Sequence, residues 1–237
     1  TDLAPRPSVD WPYRAAILAH DRELAGTGIT TVFDAIRVGS IISGASKRYG
    51  KYARQMTDEI LSMRKKGLLR ISHYIHLRAE ICSETLAEEF AEFSPEDRIG
   101  IVSMMDHTPG QRQFADLKKF ETYTRGKYSF GDQEYSDYVD FLYGLQSQFG
   151  ESHEAATVFA AKRLGATLAS HDDTTADQVV TSQGHGVTMA EFPTTIEAAD
   201  ACHVHGIATI MGAPNLIRGG SHSGNCLLYT SDAADER

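Results

Sequence analysis

The sequence has few cysteines, no long apolar run and a deficit of positive charge. Its three cysteines are far apart in 237 residues, so we expect neither a disulfide framework nor a zinc ribbon, and we expect a reducing compartment. No run approaches the roughly 18 apolar residues that indicate a membrane span. The 23 Lys and Arg against 32 Asp and Glu give a net charge of −9, which argues against nucleic acid or an anionic membrane as the main partner. Thr1 is not followed by a charged-then-apolar signal segment, and a cytoplasmic location is expected.

The remaining composition is that of a globular protein. Hydrophobic residues make up 41% and charged residues 23% of the chain, which excludes a disordered, collagen-like or coiled-coil protein. The length fits one large domain or two small ones. Ten histidines are more than a chain of this size usually carries, and this surplus directs attention to metal or acid–base chemistry.

Short apolar segments alternate with helical patterns along the chain. In the clearest strand pattern, Ile75, Leu77 and Ala79 face one way and His76, Arg78 and Glu80 face the other. Strands are predicted over 28–35, 71–81, 101–107, 166–171, 187–191 and 207–211. Helices are predicted over 46–66, 83–93, 132–149, 151–164, from 172–175 onward and over 194–205, the last with Thr194 and Glu197 as a capping box. Residues 108–131 are predicted as a polar loop. This alternation is typical of a parallel α/β protein, either a barrel short of two strands or a doubly wound sheet.

Polar residues follow the strand ends. These residues are Asp34, then His76, Arg78 and Glu80, then Asp106 and His107, then His171, Asp172 and Asp173, then Glu191, and finally Asn215. In a parallel barrel the carboxyl ends of all strands share one rim, where active sites lie. Neutral imidazole and carboxylate groups that converge there suit a divalent metal, which would activate water and neutralise an anionic leaving group.

Two further features suggest an anionic substrate and a covered site. The loop over 219–224 is rich in glycine and serine, which lets backbone N–H groups approach phosphate oxygens. Arg78, Arg112 and Arg218 are candidates for bidentate phosphate contacts. The aromatic residues of 120–149 have helical spacing and are expected to pack in a core or a lid rather than stack on bases.

Five segments together resemble the PhnM family. They are residues 4–7 with 9–12 (APRP and VDWP), 104–114 (MMDHTPGQRQF), 169–175 (ASHDDTT), 190–195 (AEFPTT) and 211–225 (MGAPNLIRGGSHSGN). The resemblance covers residues 1–225. It implies an amidohydrolase-superfamily enzyme with a metal-dependent (β/α)₈ TIM-type barrel, of which about six of the eight strands are present here. The implied reaction is hydrolysis of α-D-ribose 1-methylphosphonate 5-triphosphate to the 5-phosphate and pyrophosphate, a step of the carbon–phosphorus lyase pathway.

The resemblance also implies roles for particular residues. One or two divalent ions (zinc, manganese or similar) are expected, with Glu80, His107 and His171 as ligands. Asp106, His107 and Glu191 are the implied catalytic residues, and Asp172 with Asp173 are carboxylates that orient the ligands. The phosphorylated ribose phosphonate is expected to contact Arg78, Arg112, Arg218, Ser221 and His222.

The family pattern is incomplete at both ends of the sequence. A His-x-His or His-x-Asp motif would precede Thr1, and a strand with an aspartate ligand would follow Asn225. Residues 226–237 instead resemble a translated sequencing adapter, so we divide the chain into a partial barrel over 1–225 and a non-native tail over 226–237. We expect a chain of this extent not to bind its metals tightly or turn over.

Two alternatives to this function remain. One is a hydrolase of the same superfamily that cleaves a carbon–nitrogen bond, and the other is a non-catalytic truncated fragment. The oligomeric state, including a homo-oligomer, is left open.

Overall fold

The computed structural model describes residues 11–43, 50–114 and 116–212. Six parallel strands form one sheet in the order β1-β2-β3-β4-β5-β6. The strands are β1 (Thr31–Val38), β2 (Ser72–Glu80), β3 (Ile99–Met105), β4 (Thr167–His171), β5 (Met189–Glu191) and β6 (Ala208–Ile210). A doubly wound sheet reverses its strand order at a switch point, whereas every neighbour here is the next strand in the chain. The sheet is therefore consistent with the incomplete barrel that the resemblance implies.

Seven helices accompany the strands in the described part of the chain. They are α1 (Tyr13–Gly26), α2 (Ala53–Lys65), α3 (Leu86–Ala91), α4 (Leu117–Tyr128), α5 (Asp132–Leu164), α6 (Ala176–Gly184) and α7 (Ile196–Val204). None of the helices described is long and apolar enough to cross a membrane.

The two faces of β2 have the opposite character that the sequence predicts. Ile75, Leu77 and Ala79 are completely buried in the main hydrophobic core with residues from the surrounding helices, such as Ile17 of α1 and Ile60 of α2. The alternate residues of β2 project to the other face and contact polar groups of β3, β4 and β5, as described below. The alternation of side chains along β2 therefore places core residues on one face of the strand and the candidate site residues on the other.

Strand β1 extends three residues beyond its predicted end at Ala35. Asp34, predicted at the rim, instead lies in mid-strand and faces the helices, where its carboxylate contacts His73 of β2 at 2.7 Å. Arg37 pairs with Arg78 in the parallel register. The prediction of Asp34 as a rim residue was therefore wrong, because the true strand end is three residues further along and side chains alternate between faces.

The long connection between β3 and β4 is more helical than predicted. Helix α4 occupies half of the predicted polar loop, and the Asp116 side chain caps it by accepting hydrogen bonds from the backbone N–H groups of Lys118 and Lys119. The two helices predicted to meet near Gly150 are one continuous helix, α5. Aromatic residues of α4 and α5 pack with Ile41 in a second core cluster, which confirms the predicted packing role for this segment. Helix α1 was not predicted.

The starts of α3, α5, α6 and α7 were predicted to within a few residues, whereas that of α2 was not. Thr195, not Thr194, caps α7 by accepting from the backbone N–H of Ala198. Thr194 is instead in hydrogen-bond contact with the hydroxyl of Thr174 at 2.8 Å. The predicted helix over 46–66 begins only at Ala53 in the described residues, and it ends at Lys65 with basic residues in its last turn, as predicted.

Gly39, directly after β1, is required by its backbone and by its neighbours. Its φ is +90°, and an added Cβ would lie 2.6 Å from the Glu80 carbonyl oxygen and 2.5 Å from Ser83 Oγ. We therefore expect Gly39→Ala to lower the free energy of unfolding by about 2 kcal/mol, measured by urea denaturation. Gly144→Ala is the matched control, because its Cβ meets nothing within 4 Å in mid-α5 and should stabilise by about 1 kcal/mol. An unchanged stability of Gly39→Ala would contradict the backbone assigned here.

Candidate metal centre

Three side chains at the carboxyl ends of β3 and β4 form the candidate metal centre. His107, His171 and Asp172 each offer one ligand atom, and these atoms all lie within 4.8 Å of one another. His171 is the last residue of β4, and His107 follows β3 by two residues. Strand ends from different parts of the chain therefore bring two imidazoles and a carboxylate together, as predicted for this rim.

The hydrogen bonds of His171 assign its tautomer. Its Nδ1 lies 3.1 Å from Glu191 Oε2, and its Nε2 lies 3.0 Å from a guanidinium nitrogen of Arg78. Because guanidinium only donates, Nε2 is the acceptor and Nδ1 carries the proton. Burial is the main cause that lowers the pKa of His171, so the imidazole is neutral at pH 7. This neutral form, in which Nε2 is unprotonated, is the one that binds a metal.

The atoms around His171 Nε2 form a donor set that suits a cation. Asp172 Oδ2 lies 3.3 Å from this nitrogen, so a carboxylate oxygen lies close to the nitrogen lone pair that accepts from Arg78. Burial also raises the pKa of Asp172, more than the nearby His171, His107 and Arg78 lower it. Such an arrangement becomes favourable when a positive charge lies between the two groups. The residues present therefore fit a divalent ion.

Glu80 holds the second histidine. Its Oε2 lies 2.5 Å from His107 Nδ1, so Nε2 is the ring nitrogen that remains to bind a metal. Burial lowers the pKa of His107, but the adjacent Glu80 carboxylate outweighs it, so the pKa is raised above its usual value. Glu80 was predicted as a metal ligand and Asp172 as an orienting carboxylate. In the structure Asp172 joins the cluster and Glu80 orients a ring, so their contacts differ from the predicted roles.

Glu191 is likewise an orienting group. Besides His171 it contacts His76, whose Nε2 lies 3.5 Å from the carboxylate and 2.8 Å from the Ser103 hydroxyl. Burial alone would raise the pKa of Glu191, but the contacts with His171 and His76 lower it far below its usual value. Glu191 is therefore ionised and contacts two histidines, and its role as a catalytic residue stays a prediction.

Asp173 contacts residues around the end of β4, and its role in orienting the ligands stays a prediction. It is buried, and its carboxylate accepts hydrogen bonds from Ser170 and from Arg112. Arg112 also donates to the carbonyl oxygen of His171 at 3.1 Å. The Arg112 guanidinium therefore supports β4 through an ion pair with Asp173, and its contact with substrate stays a prediction.

The predicted catalytic Asp106 also has structural contacts. Its Oδ1 accepts from Cys82 Sγ at 3.2 Å and from the Thr108 backbone N–H at 2.9 Å, and its Oδ2 accepts from Gln146 at 3.1 Å. These bonds join the turn after β3 to helix α5. The carboxylate thus positions the segment that carries His107.

The backbone is strained at the strand ends of the site. Asp172 and Phe192 both have φ of 56°, and Arg112 has φ of 42°. Non-glycine residues rarely adopt this left-handed region, and such residues concentrate at functional sites. Asp172 and Phe192 each directly follow a strand residue of the site, His171 and Glu191 respectively.

A cavity beside the centre has one polar and one aromatic wall. The polar wall contains Arg37, Arg78, Glu80 and His107. The aromatic wall comes from the segment between β3 and the middle of α5 and contains Phe114, Phe120, Tyr123, Tyr128 and Tyr138. Arg78 was predicted as a substrate contact and Arg37 was missed, although the regular alternation of β1 past its predicted end could have indicated it. Arg218, Ser221, His222 and Asn215 lie outside the described residues.

The sequence is similar to that of a curated enzyme. It is 39% identical to the alpha-D-ribose 1-methylphosphonate 5-triphosphate diphosphatase of Escherichia coli (strain K12) over 223 residues, which are 94% of this chain and 58% of that relative. The chain thus spans less than two thirds of the relative's length. No protein-family model and no solved structure matches the chain.

Proposed function

Because this similarity supports the assignment of the chain to the PhnM family of the amidohydrolase superfamily, we propose that its site belongs to a metal-dependent hydrolase of phosphonate catabolism. The proposed reaction converts α-D-ribose 1-methylphosphonate 5-triphosphate to the 5-phosphate and pyrophosphate. The observation that carries this proposal is the cluster of His107, His171 and Asp172 at the strand ends, beside a cavity that also contains arginine.

The proposed cofactor is one or two divalent ions such as zinc or manganese. Nε2 of His107, Nε2 of His171 and the Asp172 carboxylate would hold a metal ion. When bound, such an ion polarises a phosphoryl oxygen and lowers the pKa of a water molecule that attacks phosphorus. The chain's own carboxylates maintain the two rings in the required orientation, since Glu80 contacts His107 and Glu191 contacts His171.

The two cavity walls suit different parts of the substrate. Arginine is suited to phosphate because its planar fork makes bidentate hydrogen bonds, and Arg78 lies both in the cavity and at the metal centre. Phe114 lies next to the centre, with its ring centroid 6.1 Å from that of His107, and it packs against Phe120 and Tyr123. This aromatic wall provides an apolar surface for the sugar and limits water around the reacting phosphoryl group.

The proposed reaction is tested by product identity in a chimera. Because the chain spans 58% of the E. coli relative, it replaces the matching segment of that protein. We expect the chimera, with added divalent metal, to release pyrophosphate from the ribose triphosphate in ³¹P NMR spectra, and His107→Ala to abolish the release. Chelation with EDTA should abolish it as well, with recovery when metal is restored.

The same chimera tests the carbon–nitrogen alternative. A dihydroorotate-like cyclic amide is offered as the competing substrate, and ring opening is followed by absorbance. Hydrolysis of the amide without pyrophosphate release would contradict the proposed reaction. Failure of a cooperatively folded chimera to act on either substrate would instead favour a non-catalytic fragment.

A further inference from the structure

We propose that Arg37 and Arg78 form an arginine pair that binds the polyphosphate arm of the substrate, which makes Arg37 a substrate-binding residue. The inference rests on the proposed function, since it concerns the same cavity. It adds a residue from β1 to the polar wall.

Strand register places the two arginines side by side. Arg37 of β1 and Arg78 of β2 are direct partners in the parallel ladder, so their side chains leave the same face of the sheet on strands about 4.8 Å apart. Both line the cavity that also contains Glu80 and His107. Like charges at directly paired positions of neighbouring strands destabilise a sheet. A polyanion bound between them would remove this repulsion, and local conflicts of this kind are expected at functional sites.

Arg37 is held in position before any ligand binds. Its guanidinium donates to the backbone carbonyl of Gly39 and, at 3.5 Å, to that of Gly50. It also lies over the ring of Tyr52, 5.8 Å from the centroid, while the Arg37 backbone N–H donates to the Tyr52 hydroxyl at 3.0 Å. A long side chain fixed in this way loses little further conformational entropy when it binds an anion.

Arg78 connects the pair to the reacting end of the cavity. Its guanidinium donates to His171 Nε2, one of the atoms of the metal centre. A polyphosphate with one phosphoryl group at that centre would therefore have its remaining negative charges next to arginine. An orthophosphate ion is too short to occupy the centre and both arginines, so the pair favours longer phosphate chains.

Isothermal titration of the 237-residue protein with inorganic tripolyphosphate tests the pair. We expect Arg37→Gln to weaken tripolyphosphate binding about tenfold, which corresponds to about 1.4 kcal/mol, and to change orthophosphate binding less. Arg37→Lys should retain part of the affinity because it keeps the charge. Arg163→Gln is the matched control: Arg163 also donates to two backbone carbonyls, those of Phe90 and Phe93, but its contacts lie on α3 and the segment after it, away from the cavity.

Thermal unfolding of Arg37→Gln without ligand shows whether the substitution also weakens the fold. A loss of tripolyphosphate binding can then be separated from a loss of structure. Equal tripolyphosphate affinity in Arg37→Gln and the unsubstituted chain would overturn the pair, as would an equal loss in Arg163→Gln or no saturable binding by the unsubstituted chain. Failure of the pair is distinguishable from failure of the proposed function. Pyrophosphate release by the chimera with unchanged affinity in Arg37→Gln removes only the pair, whereas amide hydrolysis alone removes the proposed function.

Discussion

Replacing Glu191 by glutamine is expected to lower the affinity of the centre for a divalent metal by about 10- to 100-fold. The carboxylate lies 3.1 Å from His171 Nδ1 and 3.5 Å from His76 Nε2, so it fixes the ring whose other nitrogen faces the metal. Glutamine removes the negative charge that makes Nε2 of this imidazole a stronger metal ligand. Its amide NH₂ group can also point towards Nδ1, where a hydrogen-bond acceptor is needed. The measurement is competition for zinc between a chromophoric chelator and the chimera with the E. coli relative, because the chain by itself is not expected to bind metal tightly.

Glu154→Gln is the matched control for this experiment. Glu154 Oε1 lies 3.3 Å from His185 Nδ1, so it makes the same type of Glu–His contact on α5 and at the end of α6, apart from the metal centre. Its substitution should leave zinc affinity unchanged. Equal zinc affinity in the chimera with Glu191→Gln and in the unsubstituted chimera, with native circular dichroism in both, would show that Glu191 does not support a metal ligand.

The sequence predicts which residues meet at the site better than it predicts what each one does. His107 and His171 follow strand ends, and parallel strands bring their carboxyl ends to one rim. The difference between Glu80 and Asp172 depends on side-chain direction: Glu80 is still within β2 and reaches His107, whereas Asp172 turns through a left-handed backbone after β4. That turn is a tertiary feature, stabilised by the bond from the Asp172 backbone N–H to the Glu191 carbonyl.

Errors in strand length explain the functional residue that was missed. Ending β1 at Ala35 leaves Arg37 in a loop with no defined direction and makes Asp34 a rim residue. Extending the strand to Val38 places Arg37 beside Arg78 and sends Asp34 to the helical side. Strand ends are set by pairing with a neighbour, and that pairing is not encoded in the local residues. The period within a strand is local, which explains why the faces of β2 were predicted correctly.

The helical segment over the cavity shows a second limit of sequence patterns. The predicted break between helices over 132–149 and 151–164 is absent from α5, although glycine costs about 1 kcal/mol in a helix interior and Gly144 and Gly150 lie within this helix. Packing of the Leu142 and Leu145 side chains against Ile41 and Phe120 in the second core cluster offsets this cost, and α5 continues to Leu164. Tertiary burial therefore decides the length of α5, while the N-cap Asp116 is a local signal for α4 that the sequence does contain.

Replacing Asp34 by alanine is expected to lower the free energy of unfolding by about 3 kcal/mol, because it removes one of the two carboxylates that pair with the buried His73. His73 of β2 is fully buried between two carboxylates, with Nδ1 at 2.7 Å from Asp34 and Nε2 at 3.2 Å from Asp21 of α1. Asp21 also accepts from the backbone N–H groups before β2, and His20 lies 3.6 Å from Asp34.

Urea denaturation measures the effect of Asp34→Ala. Asp58→Ala, which breaks a mostly exposed pair with Arg54, is the control and should cost less than about 1 kcal/mol.

The pH dependence of stability provides an independent test of this buried group. Burial lowers the pKa of His73, but its hydrogen bonds and charge interactions with Asp34 and Asp21 outweigh burial and raise it above 6.5. A histidine whose pKa is higher in the folded chain binds its proton more tightly there. Its contribution is therefore complete below about pH 6.5 and is lost as the pH rises through the folded pKa. As the pH rises from about 6.5 through the folded pKa of His73, we expect the free energy of unfolding of the unsubstituted chain to fall. It should fall less in Asp34→Asn, which removes one of the two carboxylate charges. Parallel pH profiles for the two proteins would mean that His73 is neutral between its carboxylates.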